Sequence, residues 1–177
     1  NGFQPVEAEH LIMVAGGIGQ TPFPALARQY LGGRTYGDPP VEVQPAPRVT
    51  LCYGARSKDF LAGIDDFEAL GVDVHVSTDD GSAGHHGLVT DLLRDQLDGN
   101  PANVTVVCCG PEPMMEAVSQ ITKVADVPCQ VSLETPMACG IGICFSCVAK
   151  VSDEQGEWDY KRTCVDGPVF DAERIVW

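Results

Sequence analysis

The sequence predicts an α/β fold: a five-stranded parallel sheet covered by helices, followed by a small module built around cysteines. Three observations carry this expectation. Over the first three-quarters of the chain, short apolar runs alternate with amphipathic ones, the pattern of a parallel sheet with helices on its faces. A glycine-rich turn follows the first apolar run directly. Beyond residue 133 the character changes to a loop with three closely spaced cysteines and a fourth farther on.

Leu11–Ala15 is continuously apolar, as a strand buried on both faces must be. Further strands are expected at Arg48–Gly54, Val72–Ser77, Val104–Cys109 and Cys129–Leu133, with helices between them at Pro22–Leu31, Asp59–Leu70, Leu88–Leu97 and Pro111–Ala125. Gly32–Pro47, with prolines at 39, 40, 45 and 47, reads as a loop. Residues 1–133 are thus expected to form one domain. Residues 134–177 are expected to form a second, with a strand at Val148–Ser152, a polar turn through Gly156 and a turn at Gly167-Pro168.

The chain has 177 residues, 44% of them hydrophobic and 20% charged, and a formal net charge of −14. That balance is ordinary for a globular protein. Its sign argues against nucleic acid and anionic membrane surfaces, both of which reward clustered Lys and Arg. No apolar stretch approaches the roughly 18–20 residues that span a bilayer. Eight cysteines could suggest disulfides, but Cys52, Cys108, Cys109 and Cys129 lie in apolar, strand-like runs where a free thiol behaves as a small hydrophobe. A reducing cytoplasm is the expected setting.

Cys139, Cys144, Cys147 and Cys164 are spaced C-x4-C-x2-C-x16-C. The first three with one distant fourth match the plant-type spacing for a [2Fe–2S] cluster. Gly140 and Gly142 supply the curvature that aims three thiolates inward from one short loop. A structural zinc site is the alternative from a different class. Zinc knuckles pair two C-x2-C elements, and only Cys144 and Cys147 make such a pair here.

Gly16-Gly17-Ile18-Gly19-Gln20-Thr21-Pro22 follows the first strand and opens a helix. In that context backbone N–H groups and a helix N-terminus face a common point suited to phosphate. The pattern is G-x-G-x-x-P and departs from the dinucleotide fingerprint at its last position. Thr21 is expected to cap the helix and Pro22 to sit in its first turn. Cys109, Gly110 and Pro111 end the fourth strand along the same carboxyl edge, where open α/β sheets bind ligands. Gly54 and Arg56 close the second strand and offer a guanidinium. Asp79 and Asp80 follow the third; Asp80 is the expected acceptor for a ribose hydroxyl, disfavouring a 2′-phosphate. His85 and His86 read as solvated loop residues.

Gly-Gly-Ile-Gly-x-Thr-Pro, Tyr53-Gly54-Ala55-Arg56 and Cys109-Gly110-Pro111 resemble the pyridine-nucleotide module of the ferredoxin reductase superfamily. With the cysteine loop and Tyr160-Lys161-Arg162-Thr163-Cys164-Val165-Asp166-Gly167-Pro168, the combination resembles the electron-transfer subunits of type B dihydroorotate dehydrogenases along nearly the whole chain. The resemblance implies cluster ligands at Cys139, Cys144, Cys147 and Cys164. It implies a pyrophosphate turn at Gly16, Gly17, Gly19, Thr21 and Pro22, and Cys109 beside the nicotinamide ring. It further implies NAD(H), FAD and a [2Fe–2S] cluster as cofactors, and a partner: the FMN-bearing catalytic subunit, in a two-plus-two heterotetramer of pyrimidine biosynthesis.

Nothing in the chain matches the flavin-binding barrel with which that family begins. Chemistry raises the same point, since NADH gives up an electron pair as hydride whereas a [2Fe–2S] cluster takes one electron at a time, so that a flavin must divide the pair. The chain is therefore expected to be part of a longer protein and inactive in NADH oxidation by itself. The same parts also serve other NAD(P)H-linked complexes of the sulfide dehydrogenase or ferredoxin:NADP reductase type.

Overall fold

A computed structural model describes residues 1–99 and 102–177. Its organising element is strand β1, His10–Gly16, at the centre of a seven-stranded sheet. Leu11, Met13 and Ala15 point to one face and Ile12 and Val14 to the other, and all five are fully buried. A strand with water on neither side has no use for polar alternation, which is why its sequence is apolar throughout.

β1 pairs in parallel with β2 (Arg48–Ala55) on one side and β5 (Val104–Cys109) on the other. Outward from these lie β3 (Asp73–Thr78) and β6 (Cys129–Ser132), also parallel. These are the five expected strands, each within a residue or two of its expected ends. Two more widen the sheet to the order β4-β3-β2-β1-β5-β6-β9. β4 is only His85–His86, parallel to β3, so these two residues are exposed as expected but form a short edge strand rather than a loop. β9, Val169–Asp171, returns from the cysteine region and pairs antiparallel with β6.

One face is covered by α1 (Phe23–Tyr30) and α2 (Ile64–Ala69), the other by α3 (Val89–Leu97) and α4 (Glu112–Val124). In α1, Phe23, Leu26, Ala27 and Tyr30 recur at helical spacing and are buried against Leu11, Met13 and Leu51. Leu92, Leu93, Met115 and Val118 fill the opposite face against Ile12, Val14 and Val106. Each such side chain contributes about 1.5–3 kcal/mol by leaving water. The Tyr30 hydroxyl donates to the carbonyl of Val6 at 2.8 Å and accepts from its N–H at 2.9 Å, pinning the N-terminal segment to the sheet.

Two expectations about the helices also need correction. The single helix at Asp59–Leu70 is broken into a 3-10 turn, Lys58–Phe60, and the short α2. Gly63 stands between them at φ 72°, a left-handed conformation that no helix accommodates. The Tyr53 hydroxyl meets the Phe60 carbonyl and the Ala62 N–H across the break. Thr21 does not cap α1: no side chain does, and Pro22 occupies the cap position.

The cysteine region adds a hairpin of β7 (Val148–Ser152) and β8 (Trp158–Arg162) as a separate two-stranded sheet. It is tied back by Arg174 Nε donating to the Ser152 carbonyl at 2.8 Å and Val176 N to the Lys150 carbonyl at 3.0 Å. Ser119 on α4 donates to the Ala172 carbonyl. The C-terminal segment thus closes against the same sheet that carries the glycine turn. Among the described residues no helix is long and apolar enough to cross a membrane.

Candidate functional site

The strand order reverses direction between β1 and β5, and the glycine turn and the Cys109-Gly110-Pro111 element lie side by side at that point. Their closeness depends on missing side chains. A Cβ on Gly19 would collide with the Cys109 carbonyl, and one on Gly110 would lie 2.9 Å from the Gly16 nitrogen. Gly17 plays another part: it takes φ 56° and has open space where its Cβ would be. The turn therefore uses Gly19 to seat itself on β5 and Gly17 to present bare backbone outward.

A cleft of about 1720 Å³ opens from this point. Its walls include Gly16, Gly17, Gly19, Thr21 and Pro22 from the turn, Gly54 and Arg56 from the end of β2, and Cys109, Gly110 and Pro111 from the end of β5. All the residues expected at a nucleotide site are thus gathered in one place, with a single exception. Asp79 lines the cleft and Asp80 does not. The Asp80 carboxylate turns away to accept the Ser82 N–H at 2.9 Å and its hydroxyl at 2.6 Å, and these bonds hold it below the usual carboxylate range.

Ser77, two residues before Asp79 near the end of β3, was not singled out by the sequence. It lines the cleft, is 1% exposed, and its hydroxyl has no hydrogen-bond partner. A buried hydroxyl left unpaired costs about 1–3 kcal/mol, so it fits a ligand that supplies the missing partner. The signal in the sequence was the switch from apolar to hydroxyl residues at the carboxyl end of β3. Cys109, half-buried at the reversal point, has its thiol pushed up by burial and stays neutral.

The far end of the same cleft is walled by Thr135, Met137, Gly140, Thr163 and Cys164. One concavity therefore runs from the phosphate-type turn to the cysteine region. Thr135 and Thr163 share a hydrogen bond of 2.5 Å, and both the N–H and the hydroxyl of Thr163 donate to the Cys147 carbonyl.

The four cysteines form two pairs. Cys139 and Cys144 have their Sγ atoms 3.2 Å apart, as do Cys147 and Cys164. Among the described residues no position is shared by three or more Cys, His, Asp or Glu side chains. A tetrahedral metal with bonds to sulfur of ~2.3 Å holds its ligands roughly 3.8 Å apart, so either pair closes on one metal with a small shift. Two separate pairs suit two irons sharing bridging sulfide. A structural zinc would need all four thiolates at one point.

Electrostatics favour a thiolate in each pair. The N–H of Cys144, then that of Ile141, pulls the Cys139 thiol down to about 6. Cys147 is lowered by its contact with Cys164, which is raised in turn, so this pair's proton sits on Cys164. Cys52 and Cys108, by contrast, are buried in the sheet with their thiols pushed up by burial, and behave as core residues.

A doubly wound sheet with a nucleotide cradle at its reversal point, sharing one cleft with a thiolate cage, places the protein among the pyridine-nucleotide-linked electron-transfer oxidoreductases. Residues 13–120 match the family model of the oxidoreductase NAD-binding domain, and the chain belongs to that family. Residues 134–176 match the iron-sulfur cluster binding domain of dihydroorotate dehydrogenase B. The chain is 38% identical to the dihydroorotate dehydrogenase B (NAD(+)) electron transfer subunit of Caldanaerobacter subterraneus subsp. tengcongensis, over 100% of its own length and 63% of that protein. It is 35% identical to the subunit of the same name from Desulforamulus reducens, over 98% and 61%. The chain thus spans about three-fifths of these relatives.

Among solved structures, an NADH-dependent reduced ferredoxin-NADP oxidoreductase superposes with a TM-score of 0.75 at 29% identity, covering 99% of this chain and 58% of that one. The ferredoxin reductase in carbazole 1,9a-dioxygenase gives 0.54 at 20% identity, over 71% and 37%, which is a likeness of fold.

Proposed function

We propose that this chain is the NAD- and cluster-binding portion of an electron-transfer subunit that feeds a dihydroorotate dehydrogenase, with residues 1–133 holding the nucleotide and 134–177 the [2Fe–2S] cluster. The single cleft joining the two regions is the observation that carries the reading. When bound, the nicotinamide supplies hydride, a flavin divides the pair, and the cluster passes single electrons onward.

The residues of the chain do the placing. Gly17 and the N-terminus of α1 receive the pyrophosphate, Arg56 adds charge toward it, and Asp79 with Ser77 meets the adenosine ribose. The neutral thiol of Cys109 gives the nicotinamide ring an uncharged, polarisable neighbour. Cys139 with Cys144, and Cys147 with Cys164, each hold one iron, and Thr163 fixes the Cys147 carbonyl between cleft and cage.

Ile141, Ile143 and Phe145 stand 69%, 77% and 74% exposed on the cysteine loop. An apolar rim of that kind around a redox centre is a surface that a partner covers, and the acceptor subunit is the proposed occupant. The free thiols of Cys52, Cys108, Cys109 and Cys129 suit a cytoplasmic setting.

A second reading is favoured by the nearly complete superposition on the ferredoxin-NADP oxidoreductase: service to a different NAD(P)H-linked complex. Anaerobic purification of the full-length protein and reconstitution with a dihydroorotate-oxidising flavoprotein separates them. NADH-linked turnover of orotate supports the first reading. Reduction of ferredoxin or NADP without any orotate-linked activity sinks it.

A further inference from the structure

Arg162, at the end of β8, stands two residues before Cys164 and reaches across to the loop that bears Cys139 and Cys144. Its Nη1 donates to the Gly142 carbonyl at 2.7 Å, and its Nε meets Asp166 Oδ2 at 3.4 Å. Asp166 also accepts the backbone N–H of Arg162 at 2.8 Å, while the Arg162 carbonyl receives the N–H groups of Val165, Asp166 and Gly167. The segment bearing Cys164 and the loop bearing Cys139 and Cys144 are thereby latched through one guanidinium. The space is close: Gly142 sits at φ 81°, and a Cβ there would lie 2.6 Å from Val165 Cγ2 and 3.3 Å from Arg162 Nη1.

The acceptor of that hydrogen bond matters more than the latch. The Gly142 carbonyl lies between Cys139 and Cys144, in the loop whose Cys144 N–H reaches the Cys139 sulfur at 3.4 Å. A guanidinium on that carbonyl places positive charge within the loop that carries the thiolates. Hydrogen bonds to cluster sulfurs and nearby charge are among the factors that set a cluster's potential.

The setting makes this cation conspicuous, since the chain has 11 Lys and Arg against 25 Asp and Glu. Lys161, the neighbouring cation, pairs outward with Asp159 at 3.8 Å. Arg162 and Asp166 are about one-third exposed, at 32% and 35%, so water only partly screens them.

We propose that Arg162, held on the Gly142 carbonyl of the cysteine loop, raises the reduction potential of the cluster by its charge, with Asp166 as its opposing charge. The proposal rests on the cluster reading above. Reduction adds negative charge, so a cation at this place stabilises the reduced form and an anion destabilises it. Lysine can supply the charge but not the planar fork that grips both Gly142 and Asp166. Charge and latch are therefore separable by substitution.

The test is a potentiometric titration, followed by electron paramagnetic resonance, of the anaerobically purified full-length protein and three variants. Arg162→Gln is expected to move the midpoint to more negative values, and Asp166→Asn to more positive ones. Arg162→Lys is expected to stay nearer to the parent than Arg162→Gln does. A pure latch predicts otherwise, because Arg162→Gln and Asp166→Asn loosen the same contact. Shifts of equal sign in those two, a Lys variant as far displaced as the Gln variant, or no shift in any of them overturns the proposal. If Arg162→Gln fails to retain iron, the sign of the Asp166→Asn shift decides. A parent protein without acid-labile sulfide or the resonance signal overturns the cluster reading instead, which is a distinct result.

Discussion

Gly19 packs so closely on the Cys109 carbonyl that no β-carbon fits between them. The contact joins the turn after β1 to the turn after β5 and so builds the floor of the cleft from two distant parts of the chain. Gly19→Val is expected to destabilise the whole sheet by about 1–3 kcal/mol, since the obstacle is backbone and cannot move aside. Gly17→Ala is expected to act differently, with left-handed strain of about 1–2 kcal/mol and weaker nucleotide binding. Thermal denaturation and NADH titration of both variants check this. A Gly19→Val protein with the parent melting temperature would refute the close seating.

The two cysteine pairs call for a metal-content experiment. Cys139→Ser and Cys147→Ser each remove one thiolate from a different pair, and alkoxide is a poorer ligand than thiolate for iron–sulfur chemistry. Each is expected to lower cluster retention by roughly tenfold or more, given that even indirect contacts to a metal site are worth that much. Cys52→Ser, in the sheet and remote from the pairs, is the control and keeps the visible spectrum. Undiminished iron and absorbance in the Cys147 variant would refute the pairing, and stoichiometric zinc in a colourless parent would refute the iron.

Much of this arrangement was legible in residue order. β1, β2, β5 and the amphipathic helices α1, α3 and α4 follow from apolar periodicity because each buries a whole face or stripe. The glycine turn and Cys109-Gly110-Pro111 were readable because chain punctuation at strand ends is local. β9 was not, since Val169-Phe170-Asp171 gains its strand character only from pairing with β6 across the fold. β8 was missed for a different reason: Trp158, Tyr160 and Arg162 do alternate, but on an exposed hairpin where no core rewards it. Asp79 and Asp80 could not be told apart because the choice is made by Ser82, which claims the Asp80 carboxylate through its own N–H and hydroxyl.

That assignment of Asp79 to the cleft wall has a direct consequence for cofactor choice. A carboxylate near the adenosine ribose repels a 2′-phosphate, so Asp79→Ser is expected to improve NADPH binding relative to NADH by roughly tenfold, about 1.4 kcal/mol. Asp80→Asn is expected to leave the ratio alone, because its carboxylate serves the loop. Parallel titrations with both nucleotides decide the matter. The opposite pattern, with discrimination lost at Asp80 and kept at Asp79, would mean that the loop rearranges when nucleotide binds.

His10 gives the fold an acid limit that is separate from the cluster. It begins β1, is 6% exposed, and places Nε2 2.8 Å from the hydroxyl of Thr50, which is fully buried. Burial, with the Arg48 guanidinium adding to it, lowers its pKa from 6.5 to about 4. Between those values the unfolded chain binds the proton and the folded chain does not, so stability is full above about pH 6.5 and falls as the pH drops toward 4. The shift alone would be worth about 3 kcal/mol, and partial solvent screening brings it to about 1–2 kcal/mol. His10→Gln keeps a partner for Thr50 and cannot take up charge. It is expected to match the parent near pH 7 within about 1 kcal/mol and to lose less stability on acidification to pH 5. Denaturant melts at the two pH values provide the comparison, and parallel losses in parent and variant would show that other groups set the acid limit.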